Sequence, residues 1–314
     1  MSRARLPQGV GTAAPAADAE TAASEPSPVD SANGAAASRP SPADPGTGAA
    51  PAADAASDGA AQAPAGGATP VGRPIVEIAG LTKTYGKGEA EVTALDGVDL
   101  VVEEGTFVAV MGPSGCGKST LLNLLGGLDT PTAGEVAIAG EKLSGLSDDQ
   151  ITELRRRRIG FVFQFFNLIP VLTATENASL PLRLDGDRQA DAKARQWLTQ
   201  VGLGERLDNR PDQLSGGQQQ RVAVARALST DPALILADEP TGNLDSKSAT
   251  EIAQLLAEVS QRWGRTVLMV THDPRIASFA HRLVLMRDGR IVGDRPLDGT
   301  REAARLALDE SGLL

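Results

Sequence analysis

The chain has 314 residues, enough for one large domain or two small ones with a sizeable core. Its formal net charge of −10 argues against a general nucleic-acid surface, because such a surface needs a basic stripe. A run of 18 apolar residues does not occur, so we expect no membrane-spanning segment. The single cysteine excludes an internal disulfide and fits a reducing cytosol.

Residues 1–73 consist almost entirely of Ala, Pro, Gly, Ser, Thr and Asp, and the first aromatic residue of the chain is Tyr85. Such a segment cannot bury enough apolar surface to offset the entropy of ordering. It lacks the apolar stretch of a signal peptide, and its acidic residues argue against a transit peptide. The composition therefore predicts a disordered tail, either a solvated spacer or a docking segment for another protein.

Residues 74–314 have the size of one domain, and strand-like patterns dominate its first part. The stretch PIVEIAGL alternates apolar and polar residues, as a half-buried strand does. The stretch VTALDGVDLVVEEG indicates several short strands with a turn. The apolar run TFVAVM is typical of a strand that is buried on both faces.

The second part of the domain alternates buried strands with amphipathic helices. The runs IGFVFQ, ALILAD and TVLMVTH are again of the buried type, and two helices lie between such runs. This order predicts an α/β domain with a mainly parallel sheet covered on both faces. Residues 165–228 show no convincing strand and predict a helical insertion. The run RRRR at residues 155–158 is either a solvated helix end or a contact for a partner or lipid headgroup. The two apolar helix faces consist of Ala194, Trp197, Leu198 and Val201, and of Ile252, Leu255, Leu256 and Val259.

A glycine-rich loop follows the strand TFVAVM and precedes an apolar helical pattern. Its sequence MGPSGCGKSTLL matches G-x-x-x-x-G-K-[ST] at Gly112, Gly117, Lys118 and Ser119. Glycines let backbone N–H groups turn inward, and the positive end of the following helix points at the same place. Lys118 can reach the outer phosphates, and the Ser119 hydroxyl can bind Mg²⁺. The loop therefore predicts a nucleoside triphosphate with Mg²⁺ rather than an ordinary glycine turn.

Two adjacent carboxylates end the buried strand in LILADEP. At such a position Asp238 can meet Mg²⁺ through a water molecule. Glu239 points elsewhere and can polarise a water molecule that attacks the γ-phosphate. The alternative is an exposed or helix-capping acidic pair, which the neighbouring loop makes less favourable.

A second glycine-rich helix start occurs in LSGGQQQR, and it carries a family resemblance. The chain resembles the ATPase subunit of ABC transporters, whose signature motif LSGGQ stands here at residues 214–218. In that family two subunits pack head to tail, and the signature of one closes on the nucleotide of the other. One P-loop and one signature in the chain therefore imply a dimer, either of two copies of the chain or of the chain with a different ATPase subunit.

The resemblance covers residues 75–293 and implies a P-loop NTPase fold of the RecA type. This fold has a mainly parallel sheet, an N-terminal antiparallel β subdomain and an inserted α-helical subdomain. The resemblance further implies that Tyr85 stacks on adenine. It implies that Gln164 contacts both Mg²⁺ and the attacking water. It also implies that the bound molecules are ATP and Mg²⁺.

Two more motifs gain their meaning from the resemblance alone. It implies that Asp245 in GNLDS faces the partner subunit, and that His272 in VTHD contacts the γ-phosphate and orients Glu239. By itself a lone histidine after a strand is more often structural, as we expect for His281. The nucleotide-binding residues that the resemblance implies are Tyr85, Gly112, Pro113, Ser114, Gly115, Cys116, Gly117, Lys118, Ser119, Thr120, Ser215, Gly216, Gly217, Gln218 and Asp245.

The stretches FQFFNLIPVLTATENASLPL and ADEPTGNLDS resemble the subgroup that drives lipoprotein-releasing, macrolide-exporting and cell-division permeases. This implies a peripheral position on the inner face of the cell membrane, with the permease supplied by other chains. The apolar residues after Gln164 either line the groove for a permease helix or pack inside the insertion. The alternative is a soluble ABC ATPase that acts on DNA or ribosomes. Those proteins carry a long coiled-coil insertion or two ATPase domains, which the chain lacks. The apolar residues are Phe165, Phe166, Leu168 and Ile169.

Overall fold

The computed structural model describes residues 72–297 of the chain. Nearly all of the predicted tail, residues 1–73, lies outside the described residues, as do residues 298–314. None of the helices within residues 72–297 combines the length and the apolarity that crossing a bilayer requires.

The described residues form two sheets with helices packed on them. A four-stranded antiparallel sheet has the order β2-β1-β4-β5, and a six-stranded sheet has the order β10-β9-β3-β8-β7-β6. The strands are β1 (Pro74–Tyr85), β2 (Val92–Glu103), β3 (Phe107–Met111), β4 (Ala133–Ile138), β5 (Glu141–Lys142), β6 (Ile159–Phe163), β7 (Leu234–Asp238), β8 (Thr266–Val270), β9 (Arg282–Arg287) and β10 (Arg290–Pro296). The helices are α1 (Lys118–Leu125), α2 (Asp148–Arg158), α3 (Ala174–Leu184), α4 (Ala190–Gln200), α5 (Gly216–Leu228), α6 (Ser246–Gln261) and α7 (Pro274–Ala277).

The larger sheet is parallel except for its edge strand β10, which pairs antiparallel with β9. Side chains along its strands alternate between two apolar cores, since successive residues of a strand face opposite sides. In β3, Val108 and Val110 belong to the core that faces the antiparallel sheet and α1, while Phe107 and Ala109 face the core with α5 and α6. The buried runs that form β3, β7 and β8 are therefore central strands covered on both faces, as predicted, whereas the run that forms β6 is an edge strand of the sheet.

Residues Val92–Glu103 form one continuous strand rather than the several short strands that the sequence predicted. Gly97 lies inside this strand. Its φ is +65, and the pairing of β2 with β1 shifts register between Ile78 and Leu81. A β-bulge absorbs the glycine without ending the strand. The expectation of several short strands was therefore wrong, and the turn in this stretch lies at Glu104 and Gly105, after the strand has ended.

The arginine run at residues 155–158 ends helix α2, where cations suit the helix dipole. Only part of it is solvated. Arg155 donates to the carbonyl of Gly127 at 2.8 Å, and Arg156 pairs with Glu153 and with Asp185. The first two arginines thus tie α2 to the segments beside it.

Between β6 and β7 the structure places three α-helices and no strand. Helices α3 and α4 pack on each other and on α5. Helix α5 also packs on β6, and its apolar residues belong to the same core as those of the parallel sheet. Helix α5 therefore connects the helical segment with the sheet.

Candidate nucleotide-binding and catalytic site

The glycine-rich loop joins the end of β3 to the start of α1, and two of its glycines stand where the neighbouring backbone leaves no room for a side chain. Gly117 has φ +99, and a Cβ atom there would lie 2.3 Å from the carbonyl oxygen of Ala94. A Cβ atom on Gly112 would lie 2.2 Å from the carbonyl oxygen of Met286. Both positions therefore require glycine, and they bring the chain tightly over the N-terminus of α1.

Lys118 is buried, and its ammonium group lies inside this loop. Its Nζ atom donates to the carbonyls of Gly112 and Pro113, each at 2.8 Å, and lies 3.8 Å from the Cys116 sulfur. No carboxylate within residues 72–297 forms an ion pair with Lys118. The cation is thus fixed at the helix N-terminus with its charge left for an anionic ligand.

Ser119 and Asp238 bring two oxygen atoms together across the strand ends. The Ser119 hydroxyl donates to Asp238 Oδ1 at 3.3 Å. Burial raises the pKa of the Asp238 carboxyl, and the charge of Glu239 raises it further, while the Ser119 hydrogen bond opposes the rise. A cation at this position would relieve both effects. The oxygen donors are of the kind that Mg²⁺ prefers.

Glu239 follows Asp238 in a left-handed backbone conformation, with φ +45. Such a conformation is uncommon for a residue with a long side chain. Its amide donates to the carbonyl of Val270 at 3.0 Å, and its Oε2 atom lies 2.9 Å from Nδ1 of His272. The strained turn thus directs Glu239 away from Asp238 and toward the histidine after β8.

Gln164 forms a reciprocal hydrogen-bonded pair with Asn243, a residue of the GNLDS motif to which the sequence analysis assigned no role. Its Nε2 atom donates to Asn243 Oδ1, and Asn243 Nδ2 donates to the Gln164 carbonyl, each at 3.2 Å. A Cβ atom on Gly242 would lie 2.8 Å from Gln164 Nε2. The GN pair before LD was the available signal, since glycine permits this close approach.

Tyr85 is held by two residues that sequence reasoning missed. Its hydroxyl donates to Asp129 Oδ2 at 2.7 Å, and Lys83 Nζ bonds Asp129 Oδ1 at 2.6 Å. Lys83 Nζ also lies 4.8 Å from the centre of the Tyr85 ring. Tyr85 is 41% exposed, so part of the residue is accessible to a ligand.

The signature residues form a separate group at the N-terminus of α5. Ser215 accepts from the Gln218 amide at 3.3 Å, and the Gln218 side chain accepts from the Ser215 amide at 2.9 Å. This capping box satisfies two amides of the helix start. A Cβ atom on Gly217 would lie 3.0 Å from Ser248 Oγ. Within the described part of the chain, no hydrogen bond joins the signature to the glycine-rich loop.

Asp245 caps helix α6 within its own chain. Its Oδ1 atom accepts from the amides of Lys247 at 3.0 Å and Ser248 at 3.1 Å. Hydrogen bonds from Ser248 lower the pKa of this exposed carboxyl. Contact with a partner subunit, which the family resemblance implied, remains a prediction.

These groups fit ATP and Mg²⁺. The glycine cradle and the buried Lys118 suit a polyphosphate, the Ser119 and Asp238 oxygens suit a hard cation, and Glu239 and His272 stand at the same edge of the sheet. A phosphate-binding loop between a buried strand and a helix, with an acidic residue on a neighbouring strand, defines the class of P-loop NTPases.

Comparison with known proteins gives the family. The chain belongs to the ABC transporter family, whose sequence pattern matches residues 95–242. It is 53% identical over 232 residues to the lipoprotein-releasing system ATP-binding protein LolD of Anaeromyxobacter dehalogenans, covering 73% of the chain and 97% of that relative. It is 50% identical over 224 residues to the macrolide export ATP-binding/permease protein MacB of Marinobacter nauticus. That match covers 71% of the chain but only 35% of the relative.

Solved structures give the same result. A dimeric post-hydrolysis structure of the ATP-binding cassette MJ0796 with ADP and Pi is 48% identical, with a TM-score of 0.65. It covers 72% of the chain and 100% of the solved cassette. A sequence relative with the same name, MJ0796, comes from Methanocaldococcus jannaschii. The predicted α/β fold, the ABC family, the resemblance to the lipoprotein-release and macrolide-export ATPases, and the ATP- and Mg²⁺-dependent ATPase class are confirmed.

Proposed function

We propose that two copies of the chain close on two molecules of MgATP and thereby drive a separate membrane permease. Each nucleotide lies between the glycine-rich loop of one copy and the signature of the other. One observation carries this proposal: the chain has two glycine-rich helix starts, and only that of α1 carries a buried lysine and a nearby carboxylate. The dimeric state of the solved MJ0796 cassette supports it.

Within each composite site, the loop residues Gly112–Thr120 bind the phosphates, and Lys118 neutralises the outer ones. Ser119, Gln164 and Asp238 hold Mg²⁺, with Asp238 acting through water. The metal supplies positive charge that neutralises the phosphate oxygens as the terminal bond breaks. Burial of Asp238 and its 3.3 Å contact with Ser119 support this assignment. Tyr85 stacks on the adenine ring.

Glu239 is the general base. It accepts a proton from the attacking water, the water oxygen bonds to the γ-phosphorus, and the bond to the β-phosphate oxygen breaks to leave ADP and phosphate. His272 holds the Glu239 carboxylate through the 2.9 Å contact and reaches the γ-phosphate. Gln164 orients the same water. His272 is 72% exposed at its side chain, so it is free to meet a ligand.

Closure of the dimer moves the coupled permease halves, and loss of the products reopens it. The process that we propose is export or extracytoplasmic force transmission, with a lipoprotein, a macrolide or a peptide as the cargo. The names of two relatives support lipoprotein release and macrolide export. We therefore infer a peripheral position on the inner face of the cell membrane. Residues 74–314 act as the ATP-binding domain, with residues 165–228 as the helical subdomain.

An apolar surface next to Gln164 is the docking place that we propose for a cytoplasmic helix of the permease. Phe165 is 72% exposed and Val171 is 71% exposed, and Ile169 lies between them. A cavity of about 320 Å³ opens beside this segment, between Phe161 and Pro181. An amphipathic helix can place its apolar side chains against such a surface.

Dimer formation on MgATP tests the composite site. In a Glu239→Gln background, which slows hydrolysis, light scattering should show a dimer with MgATP and a monomer without it. Adding Ser215→Asp should abolish this dimer, because the carboxylate keeps the helix cap but repels the partner's phosphate. Nucleotide affinity of the monomer should stay unchanged.

Ser147→Asp is the matched control, since Ser147 caps α2 with the same capping box, formed there with Gln150. It should leave the dimer intact. A dimer that survives Ser215→Asp, or a Glu239→Gln chain that stays monomeric with MgATP, would contradict the proposal.

Membrane binding tests the docking surface. The chain should bind to membranes from its source cells, and Phe165→Ser should lower the bound fraction. Val292→Ser is the control, because Val292 is 48% exposed on β10, at the opposite edge of the sheet from β6. Equal loss in both variants would argue against a specific surface.

A further inference from the structure

The backbone just after Gln164 adopts an unusual conformation. Phe166 and Asn167 have φ +59 and +50, although neither is glycine. Two consecutive left-handed residues persist only where the surrounding structure holds them. The segment that positions Gln164 therefore depends on contacts from elsewhere in the fold.

Arg226, in the last turn of α5, supplies such contacts. Its guanidinium donates to the carbonyl of Asn167 at 2.6 Å and to that of Phe166 at 2.8 Å. Burial lowers the pKa of the Arg226 guanidinium, and no carboxylate of residues 72–297 forms an ion pair with it. Burying a cation whose hydrogen-bond partners are carbonyl groups costs free energy. We therefore take the two hydrogen bonds to the left-handed turn as the structural role of Arg226.

Gln220, also on α5, holds the backbone on the other side of Gln164. Its side chain is fully buried, and its Nε2 atom donates to the carbonyl of Phe163 at 3.3 Å and to that of Pro240 at 2.7 Å. Phe163 ends β6 directly before Gln164, and Pro240 follows Glu239. One amide group thus joins the strand end before Gln164 to the turn that carries Glu239.

We propose that Gln220 and Arg226 are positioning residues for Gln164, and that α5 makes the placement of Gln164 depend on the signature. The inference rests on the proposed role of Gln164. Helix α5 has 13 residues and begins directly after Ser215. A helix of this length is a rigid rod of about 20 Å, so a displacement of its N-terminus is carried to both side chains. Contact of the signature with the partner's nucleotide therefore adjusts Gln164 at the chain's own nucleotide.

The test compares ATP hydrolysis by the full chain with substitutions in these two residues. Gln220→Met removes the donor and keeps the side-chain length, and Arg226→Met removes the guanidinium but keeps an unbranched apolar side chain. Each should lower kcat at least tenfold and raise the Mg²⁺ concentration that gives half-maximal activity. The affinity for ATP without Mg²⁺ should stay unchanged. Arg226→Lys should recover part of the loss, because an ammonium group can still bond a carbonyl.

Arg221→Met is the matched control on the same helix. Arg221 donates to the carbonyl of Val201 at 2.9 Å and pairs with Glu251, away from Gln164. It should lower the unfolding temperature as much as Arg226→Met but leave kcat and the Mg²⁺ dependence near those of the unmodified chain. Equal effects of both arginine variants on kcat would overturn the inference, since the loss would then follow stability.

A double substitution separates positioning from a structural role. The kcat of Gln164→Ala with Arg226→Met should equal that of Gln164→Ala alone, because a positioning residue has nothing left to position. Multiplied losses would overturn the inference. If Gln164→Ala lowers kcat and Arg226→Met does not, the positioning role of Arg226 is wrong while the proposed role of Gln164 stands. If Gln164→Ala keeps full activity, the proposed role of Gln164 fails with it.

Discussion

Two helix N-termini of this chain share glycines and serine but differ in what completes them. At α1, Gly117 stands in a left-handed conformation without a side-chain cap, and Lys118 is buried in the loop. At α5, Ser215 and Gln218 cap the helix through their own side chains, and the first turn carries no charge. The first is built for an anion held by this chain, whereas the second is complete without one. A glycine-rich helix start by itself therefore does not show which ligand it contacts, or whether that ligand is bound by its own chain or by a partner.

The largest expected effect separates chemistry from binding at the α1 side. Glu239→Gln removes the general base and should lower kcat by about 10²- to 10⁴-fold, while ATP still binds. Steady-state hydrolysis and equilibrium binding measure the two quantities. Glu258→Gln is the control, because Glu258 lies on α6 and pairs with Arg262. Fast hydrolysis by Glu239→Gln would remove Glu239 from its proposed role.

The next effect makes the α1 terminus resemble that of α5. Lys118→Ala removes a buried cation that would bond phosphate oxygens, and charged hydrogen bonds of this kind are worth about 1.5–3 kcal/mol. ATP affinity should therefore fall roughly 10- to 100-fold. Equilibrium titration with a fluorescent ATP analogue measures it. Lys142→Ala, at an exposed ion pair on β5, should bind normally. Tight ATP binding by Lys118→Ala would contradict the loop assignment.

A smaller effect concerns stability without ligands. The pKa of Asp238 is raised, so ionisation of this carboxyl destabilises the fold above the raised pKa, and the penalty disappears below the ordinary aspartate value. Asp238→Asn should therefore unfold later than the unmodified chain at neutral pH without Mg²⁺. A gain of about 1 kcal/mol in the free energy of unfolding would raise the unfolding temperature by about 2–4 °C.

Thermal unfolding across pH checks this, and the difference should vanish in acid. Asp208→Asn is the control, since the Asp208 side chain is 78% exposed. An Asp238→Asn chain that unfolds earlier at neutral pH would show that the carboxylate stabilises the nucleotide-free fold.

The smallest expected effect is at the N-terminal tail. Deleting residues 2–70 should leave ATPase activity within about twofold, because a spacer of this composition contributes no core. A collapse of activity would instead give the tail a part in one of the two helix-terminal sites.

The sequence by itself determined the family and the buried strands, and its motifs predicted most of the side chains that we assign to the nucleotide site. Spacing alone predicted Gly112, Lys118 and Ser119 as phosphate-binding residues, because phosphate binding constrains a short continuous segment. Asp238 and Glu239 were predicted for a different reason, because they are two adjacent carboxylates that end a buried run.

Only the tertiary structure decided the contacts that join distant segments. Asp129 on Tyr85, Asn243 on Gln164, and Arg226 on the turn after Gln164 carry no periodic pattern, because each depends on which loops the sheet order brings together. The continuous course of β2 through Gly97 was also beyond local pattern, since pairing with β1 turns a glycine into a bulge. The spacing of residues in a short segment predicts the chemistry of that segment, whereas the positions of its side chains depend on hydrogen bonds between segments far apart in the chain.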